Sequence, residues 1–410
     1  MTGLRDLGKQ LRGKLYEVLL CLGLAATAFM FIPGSNEILE IKYTMAVLFA
    51  TALGAIELHK NGIKPFANPW LPALIAFIPI SLYMAPDPVF HFAGIRVHYF
   101  WSWEPFALAL IFMLFIASVA SHPFSSDDVN IIMKLLMIFA SFSAGYMILQ
   151  FFFADQFMIP LEKYIYGRGQ VAGFVGNPTL ASPYVAMMVP IAYYYRSWWL
   201  AALMVIAVIL SDSQMAYGAL LVSCIFYFGS KAFKYEKGSP NRKTLYVLTF
   251  IILISSVGLL YGFKDHIHDN ERFKMWKLAL KDVNAEITDG QLKKKYPYTG
   301  RGIGSFRYAF HSEHPGEDNT PNGFWQAHNE YVQTAYNLGG VGIIIFFASI
   351  VWLFLKRFQY HDRRIRALMA SFVCIATNAA GTFVWQVGTT MFATAVIVGL
   401  LHNRTIGEFR

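Results

Sequence analysis

The chain has 410 residues, 56% of them hydrophobic, 16% aromatic and only 14% charged, with a formal net charge of +9. Soluble domains carry about a quarter charged residues, so this composition, with a mean hydropathy of +0.43, excludes an ordinary soluble globular protein. It points to an all-α polytopic membrane protein whose positive charge belongs to its loops rather than to a nucleic-acid-binding face.

Apolar runs long enough to be read as helical spans recur along the whole chain. About twelve are read, near residues 16–32, 43–58, 70–85, 101–120, 130–153, 179–195, 197–211, 214–230, 244–262, 335–355, 367–387 and 389–402. The basic start (Arg5, Lys9, Arg12, Lys14) before Val18–Phe31 has a signal-peptide look, but the small-residue stretch Ala26-Thr27-Ala28 lies inside the apolar run. The reading is therefore an uncleaved first helix. The three cysteines, Cys21, Cys224 and Cys374, fall in apolar spans, far apart and without metal-ligand spacing, and read as small buried hydrophobes.

Lys and Arg orient the spans. With the N-terminus inside, the inner segments hold Lys60 and Lys64, Arg196, Lys231, Lys234, Lys237, Arg242 and Lys243, then Lys356, Arg357, Arg363, Arg364 and Arg366, and finally Arg404 and Arg410. The turn near Ser121 carries neither type. Both termini then lie inside, and residues 1–410 read as one integral membrane domain with one large outer loop, 263–328, between the ninth and tenth spans.

The outer segments carry the chemistry. Residues 154–178 hold Lys163 and Arg168 before Gly173-Phe174-Val175-Gly176-Asn177-Pro178. The large loop opens with a helix-like stretch, Glu271–Leu280, that sets Arg272 and Trp276 four apart on one face. Arg168, Arg272, Arg301 and Arg307 all lie outside, and a guanidinium suits bidentate recognition of phosphate and pyrophosphate. The alternative for each is an ordinary solvated loop arginine. Gly300-Arg301-Gly302-Ile303-Gly304 looks like a phosphate-cradling loop but lacks the strand, the helix and the Lys-Ser/Thr pair of a nucleotide site, so it reads as a tight turn. His311 and His314 with Glu313 and Glu317 have metal-like spacing in an irregular segment, and no metal site is read there. His328-Asn329 sits at the seam between the loop and the apolar run from Val341 to Leu355. Histidine takes up and releases a proton near neutral pH, so this seam suits proton transfer on an anionic substrate.

His328-Asn329, then Gly339 and Gly342, resembles the signature of the bacterial O-antigen ligase and O-antigen polymerase superfamily. Three further stretches fit the pattern in order: Gly173–Pro178 with Leu180-Ala181, Arg272-x-x-x-Trp276, and Gly300-x-Gly302-x-Gly304-x-Phe306. The resemblance covers roughly residues 165–345. It implies transfer of a glycan from undecaprenyl pyrophosphate to an acceptor hydroxyl on the periplasmic face of the inner membrane, with no nucleotide, cofactor or metal. The acceptor is lipid A–core in a ligase, another lipid-linked glycan in a polymerase, and a protein Ser or Thr in related oligosaccharyltransferases. His328 is implied as general base or as the residue orienting the acceptor. Arg272 is implied as the pyrophosphate-binding cation, with Arg168 and Arg301 as further candidates and Asn329, Gln214 and Trp276 in support. One departure stands out: Gln214, in Ser211-Asp212-Ser213-Gln214-Met215-Ala216, occupies a place where ligases usually carry an arginine. Either Arg168 or Arg301 replaces that charge or the pyrophosphate is handled differently, which weighs toward a polymerase or a divergent relative. A transporter of lipid-linked or anionic substrates would call for charges deep in the spans and paired broken helices, whereas Glu57, Glu104 and Lys134 lie near span ends. A sensor or assembly scaffold would not need the outer arginines and His-Asn at the helix mouth.

Overall fold

The computed structural model describes residues 14–30, 38–61, 68–84, 99–152, 171–232, 271–284, 287–289, 292–294, 298–302, 305–306, 327–358, 362–382 and 384–403. Among these the chain is helical apart from one short hairpin. The helices are α1 (Leu15–Phe29), α2 (Ile38–Asn61), α3 (Trp70–Met84), α4 (Tyr99–Ser121), α5 (Ser126–Phe152), α6 (Pro178–Ala186), α7 (Val189–Tyr194), α8 (Trp198–Leu210), α9 (Gln214–Ala232), α10 (Glu271–Asn284), α11 (Glu330–Phe358), α12 (Arg363–Asn378) and α13 (Gly388–His402). The hairpin pairs β1 (Ile287–Asp289) antiparallel with β2 (Leu292–Lys294). It lies in the large loop, where no strand is read from the sequence.

Among the described residues, three helical stretches are long and apolar enough to cross a membrane: Ile41–Lys60, Ser126–Phe152 and Glu330–Arg357. Six shorter apolar helices accompany them: Leu15–Phe29, Trp70–Ile80, Leu108–Ser121, Trp198–Leu210, Gln214–Ser230 and Gly388–His402. The span expected at 244–262 lies outside the described residues. Two expected spans take a different form. The run 179–195 is two helices, because Pro190 offers no N–H and its ring crowds the carbonyl four residues back, which ends α6 at Ala186. Every residue from 180 to 192 is buried, so this broken helix forms the centre of the bundle, packed on α5, α8, α9 and α12. The run 367–387 is helical only to Asn378. It then turns through Ala379–Thr382 and a single 3₁₀ turn, Val384–Gln386, before α13.

Polar contacts mark two ends of the bundle. At one end the starts of α1, α5 and α12 meet the ends of α4, α11 and α13. Lys14 pairs with Asp128 at 3.4 Å, Arg364 donates to Ser126 at 2.7 Å, and Arg357 donates to the Leu401 and Asn403 carbonyls. His122 lies between Glu57 (2.7 Å) and Glu17 (3.4 Å) and stacks on Tyr16. At the opposite end Lys42 and Thr389 cap the last carbonyls of α1, Lys42 on Thr27 and Ala28 and Thr389 on Thr27. There the N-terminus of α11 meets the C-terminus of α12 through Glu330 N–H and the Ala379 carbonyl, 2.8 Å apart. Helices that alternate between two polar ends, with buried apolar faces between them, are what a membrane-embedded bundle requires. Cys374 is buried, Cys21 and Cys224 are half-buried, and all three are free thiols.

Candidate active site

The site residues gather where α10 lies against the start of α11. Helix α10 presents two faces. Met275 and Ala279, four apart, bury themselves with Phe306, Ala327, Val332 and Tyr336 and so dock the helix on α11. Arg272 and Trp276, also four apart, reach the backbone on either side: Arg272 Nη1 donates to the Gly381 carbonyl at 3.4 Å, and the Trp276 indole N–H donates to the Ala327 carbonyl at 2.5 Å. The face shared by these two side chains therefore ties the turn after α12 to the residue before His328.

His328 immediately precedes the cap of α11. Asn329 accepts from the Tyr331 and Val332 N–H groups at 3.0 and 3.1 Å, which makes its side chain the helix N-cap. His328 itself takes a left-handed backbone, φ 49°. It is half-buried, and burial, with Arg272 nearby, pulls its imidazole down to about pKa 4. Burial also lowers the Arg272 guanidinium. The pair is thus a neutral imidazole beside a cation, both partly withdrawn from water.

Arg301 is buried (3% exposed), with its guanidinium donating to the Tyr336 hydroxyl at 3.0 Å and lying over the Tyr336 ring. Its turn docks on α11 by backbone bonds: Arg301 N–H to the Tyr336 carbonyl, Gly302 N–H to the Asn337 carbonyl, and Val341 N–H to the Tyr298 carbonyl. Gln214 is exposed at the first position of α9. The next residue, Met215, packs on Gly381, so the start of α9 lies beside the turn that holds Arg272. The structure therefore brings together His328, Asn329, Arg272, Trp276 and the Gln214 turn, and sets Arg301 one to two helical turns further along α11. Arg168, Arg307, His311, Glu313, His314 and Glu317 lie outside the described residues. Among the described residues, no group of three or more His, Cys, Asp or Glu side chains could hold a metal ion.

Other contacts at the site were not read from the sequence. Glu330, buried at the first turn of α11, accepts the Trp385 N–H at 3.1 Å, Gln333 accepts the Ala327 N–H at 3.1 Å, and Tyr331 donates to the Ala376 carbonyl at 2.6 Å. Each joins segments distant in sequence or reaches back outside its helix, and no local pattern announces such a bond. An Asn immediately before an apolar helix is a capping signal, and it could have assigned Asn329 to the helix rather than to chemistry.

Residues 199–347 match the family model described as O-antigen ligase. The matched stretch takes in Gln214, Arg272, Arg301, His328 and Gly339. No curated protein matches the chain. The motifs, their meeting at the mouth of α11 and the family match agree: over residues 199–347 the chain is similar to the O-antigen ligase family, and this supports the O-antigen ligase and polymerase superfamily.

Proposed function

We propose that this chain is a glycosyltransferase that moves a glycan from undecaprenyl pyrophosphate to an acceptor hydroxyl, with lipid A–core as the acceptor. The observation that carries this reading is the neutral, half-buried His328 set beside Arg272 within the matched O-antigen ligase domain. The bundle would lie in the inner membrane, with its basic end (Lys14, Arg357, Arg364) cytoplasmic and the His328 end periplasmic, an orientation that the distribution of Lys and Arg supports.

In the reaction the acceptor oxygen attacks the anomeric carbon, the bond from that carbon to the pyrophosphate oxygen breaks, and the hydroxyl proton passes to the imidazole of His328. Undecaprenyl pyrophosphate leaves with the bonding electron pair, and Arg272 offsets the charge it gains. An imidazole at about pKa 4 is a weak base. A pyrophosphate bound at Arg272 cancels the repulsion that helps hold the imidazole down, so donor binding raises the basicity of His328 toward the working pH. Asn329 and Trp276 hold the backbone around His328. Arg168 and Arg301 are further candidates for the pyrophosphate; Arg301 reaches it only by leaving Tyr336. Gln214 offers a hydrogen-bond donor without charge, and this favours the polymerase as the second reading.

The test is transfer by the purified chain from a polyprenyl-pyrophosphate glycan, with lipid A–core added, no nucleotide and chelator present. Label moving to lipid A–core, and lost in His328→Ala and Arg272→Ala, supports ligation. Lengthening of the donor chain instead makes the protein a polymerase. Transfer to neither, with both variants matching wild type in a lipid-translocation assay, overturns the enzyme reading.

A further inference from the structure

Ala327 is held by side chains at both of its backbone polar groups. Gln333 of α11 accepts its N–H at 3.1 Å, and Trp276 of α10 donates to its carbonyl. That carbonyl belongs to the peptide unit joining Ala327 to His328, so the indole fixes the plane from which the His328 backbone departs. On the far side Asn329 is locked as the N-cap of α11. Between these anchors His328 holds φ 49°, a conformation that costs a non-glycine residue about 1–3 kcal/mol and persists only when its surroundings over-determine it. Ala327 is fully buried, so its N–H has no water to turn to if Gln333 is lost.

We infer that Gln333 is a positioning residue: through Ala327 it holds the His328 backbone in its left-handed turn and so keeps the imidazole beside Arg272. Trp276 does the same from α10. Gln333 lies five residues beyond His328, more than a helical turn along α11, and its side-chain oxygen is engaged by Ala327, so its hold on the site runs through Ala327 to His328. The inference rests on His328 being the residue that handles the acceptor proton. Without the Gln333 acceptor the Ala327 peptide rotates to find another partner, and His328 relaxes toward negative φ. A misplacement of about 1 Å at a reacting group costs about 100-fold in rate.

The experiment compares wild type, His328→Ala, Gln333→Met and Gln333→Glu in the transfer assay, using the full chain and the same polyprenyl-pyrophosphate donor, with rates corrected for the folded fraction by thermal melt. Gln333→Met keeps the side-chain volume and removes the acceptor. It is expected to lower kcat about 10- to 100-fold with KM for the donor unchanged. Gln333→Glu still accepts the Ala327 N–H and is expected to keep most of the wild-type kcat. Trp276→Phe, which keeps a ring and loses the N–H, is expected to follow Gln333→Met. Wild-type kcat in folded Gln333→Met, or equal losses in the Met and Glu variants, would overturn the inference while leaving the catalytic reading intact. Wild-type transfer by His328→Ala would overturn the catalytic reading and this inference with it.

Discussion

Gly300 and Gly339 pack backbone to backbone: a Cβ on Gly300 would stand 2.4 Å from the Gly339 nitrogen, and one on Gly339 would stand 2.3 Å from the Gly300 nitrogen. Both take positive φ, 69° and 64°, and Gly339 breaks the helical geometry of α11. The break admits the turn 298–302, whose backbone bonds then replace those that α11 gives up. Either glycine changed to alanine meets main chain rather than a yielding side chain, and also carries the left-handed penalty. Gly300→Ala and Gly339→Ala are each expected to destabilise the protein by about 3 kcal/mol or more. Thermal unfolding in detergent reads this, and melting temperatures within a degree of wild type would refute the docking.

In the proposed reaction the His328 imidazole sets the acid limb of activity. Its pKa in the free protein is about 4, lowered first by burial and then by Arg272. The limb of kcat/KM, which reports the free enzyme, is therefore expected near pH 4 rather than near the ordinary histidine value of about 6.5. Arg272→Met removes the smaller of the two causes. The imidazole in that variant, followed by NMR titration because transfer is lost, should titrate higher but stay below about 6.5, because burial remains. The same shift bears on stability. The folded pKa is depressed, so the contribution is present in full above the unfolded value and is lost as the pH falls toward the folded one. An imidazole titration unchanged in Arg272→Met would separate the two residues electrostatically.

The helical class, the two polar ends and the pairing of Arg272 with Trp276 were legible because each rests on local periodicity: apolar length for spans, Lys and Arg for ends, and a four-residue spacing for one helix face. What was not legible depends on contacts distant in sequence. The 179–195 run reads as one span by hydropathy, and only the backbone chemistry of Pro190 splits it. The glycines at 300, 302, 339 and 342 stand out in the sequence, yet nothing local says that Gly300 and Gly339 face each other. The position of His328 at a loop–helix seam was legible. Its left-handed turn and the hold of Gln333 on Ala327 were not, since a reach back across the helix start leaves no periodic trace.

Arg301 and Tyr336 form a buried pair in which a guanidinium donates to a hydroxyl and covers its ring. Arg301→Met keeps the length and loses the donors, leaving the Tyr336 hydroxyl without that bond in a buried site. The expected cost is about 2 kcal/mol, from the lost charged hydrogen bond and the desolvated hydroxyl, with KM for the donor held near wild type. A large rise in donor KM with unchanged melting temperature would instead place Arg301 on the pyrophosphate.

Gln214 lies at the start of α9, exposed, next to the Met215 that packs on Gly381, whose carbonyl accepts from Arg272. An arginine at 214 would add a second cation on the side of the site where a pyrophosphate bound at Arg272 carries its charge. Two guanidinium groups repel when the site is empty, and that repulsion is relieved when a multiply charged anion binds between them, so the gain appears in donor binding. Gln214→Arg is expected to lower KM for the polyprenyl-pyrophosphate donor about 5- to 10-fold at low ionic strength, consistent with the few-kcal/mol scale of a charged hydrogen bond discounted for exposure. The advantage should shrink as salt is raised past about 0.15 M, where the screening length is about 8 Å. Steady-state kinetics at two salt concentrations distinguishes this from a general change in the site. A donor KM unmoved at low salt would show that the start of α9 does not face the pyrophosphate, and the charge opposite Arg272 would then have to come from elsewhere in the chain.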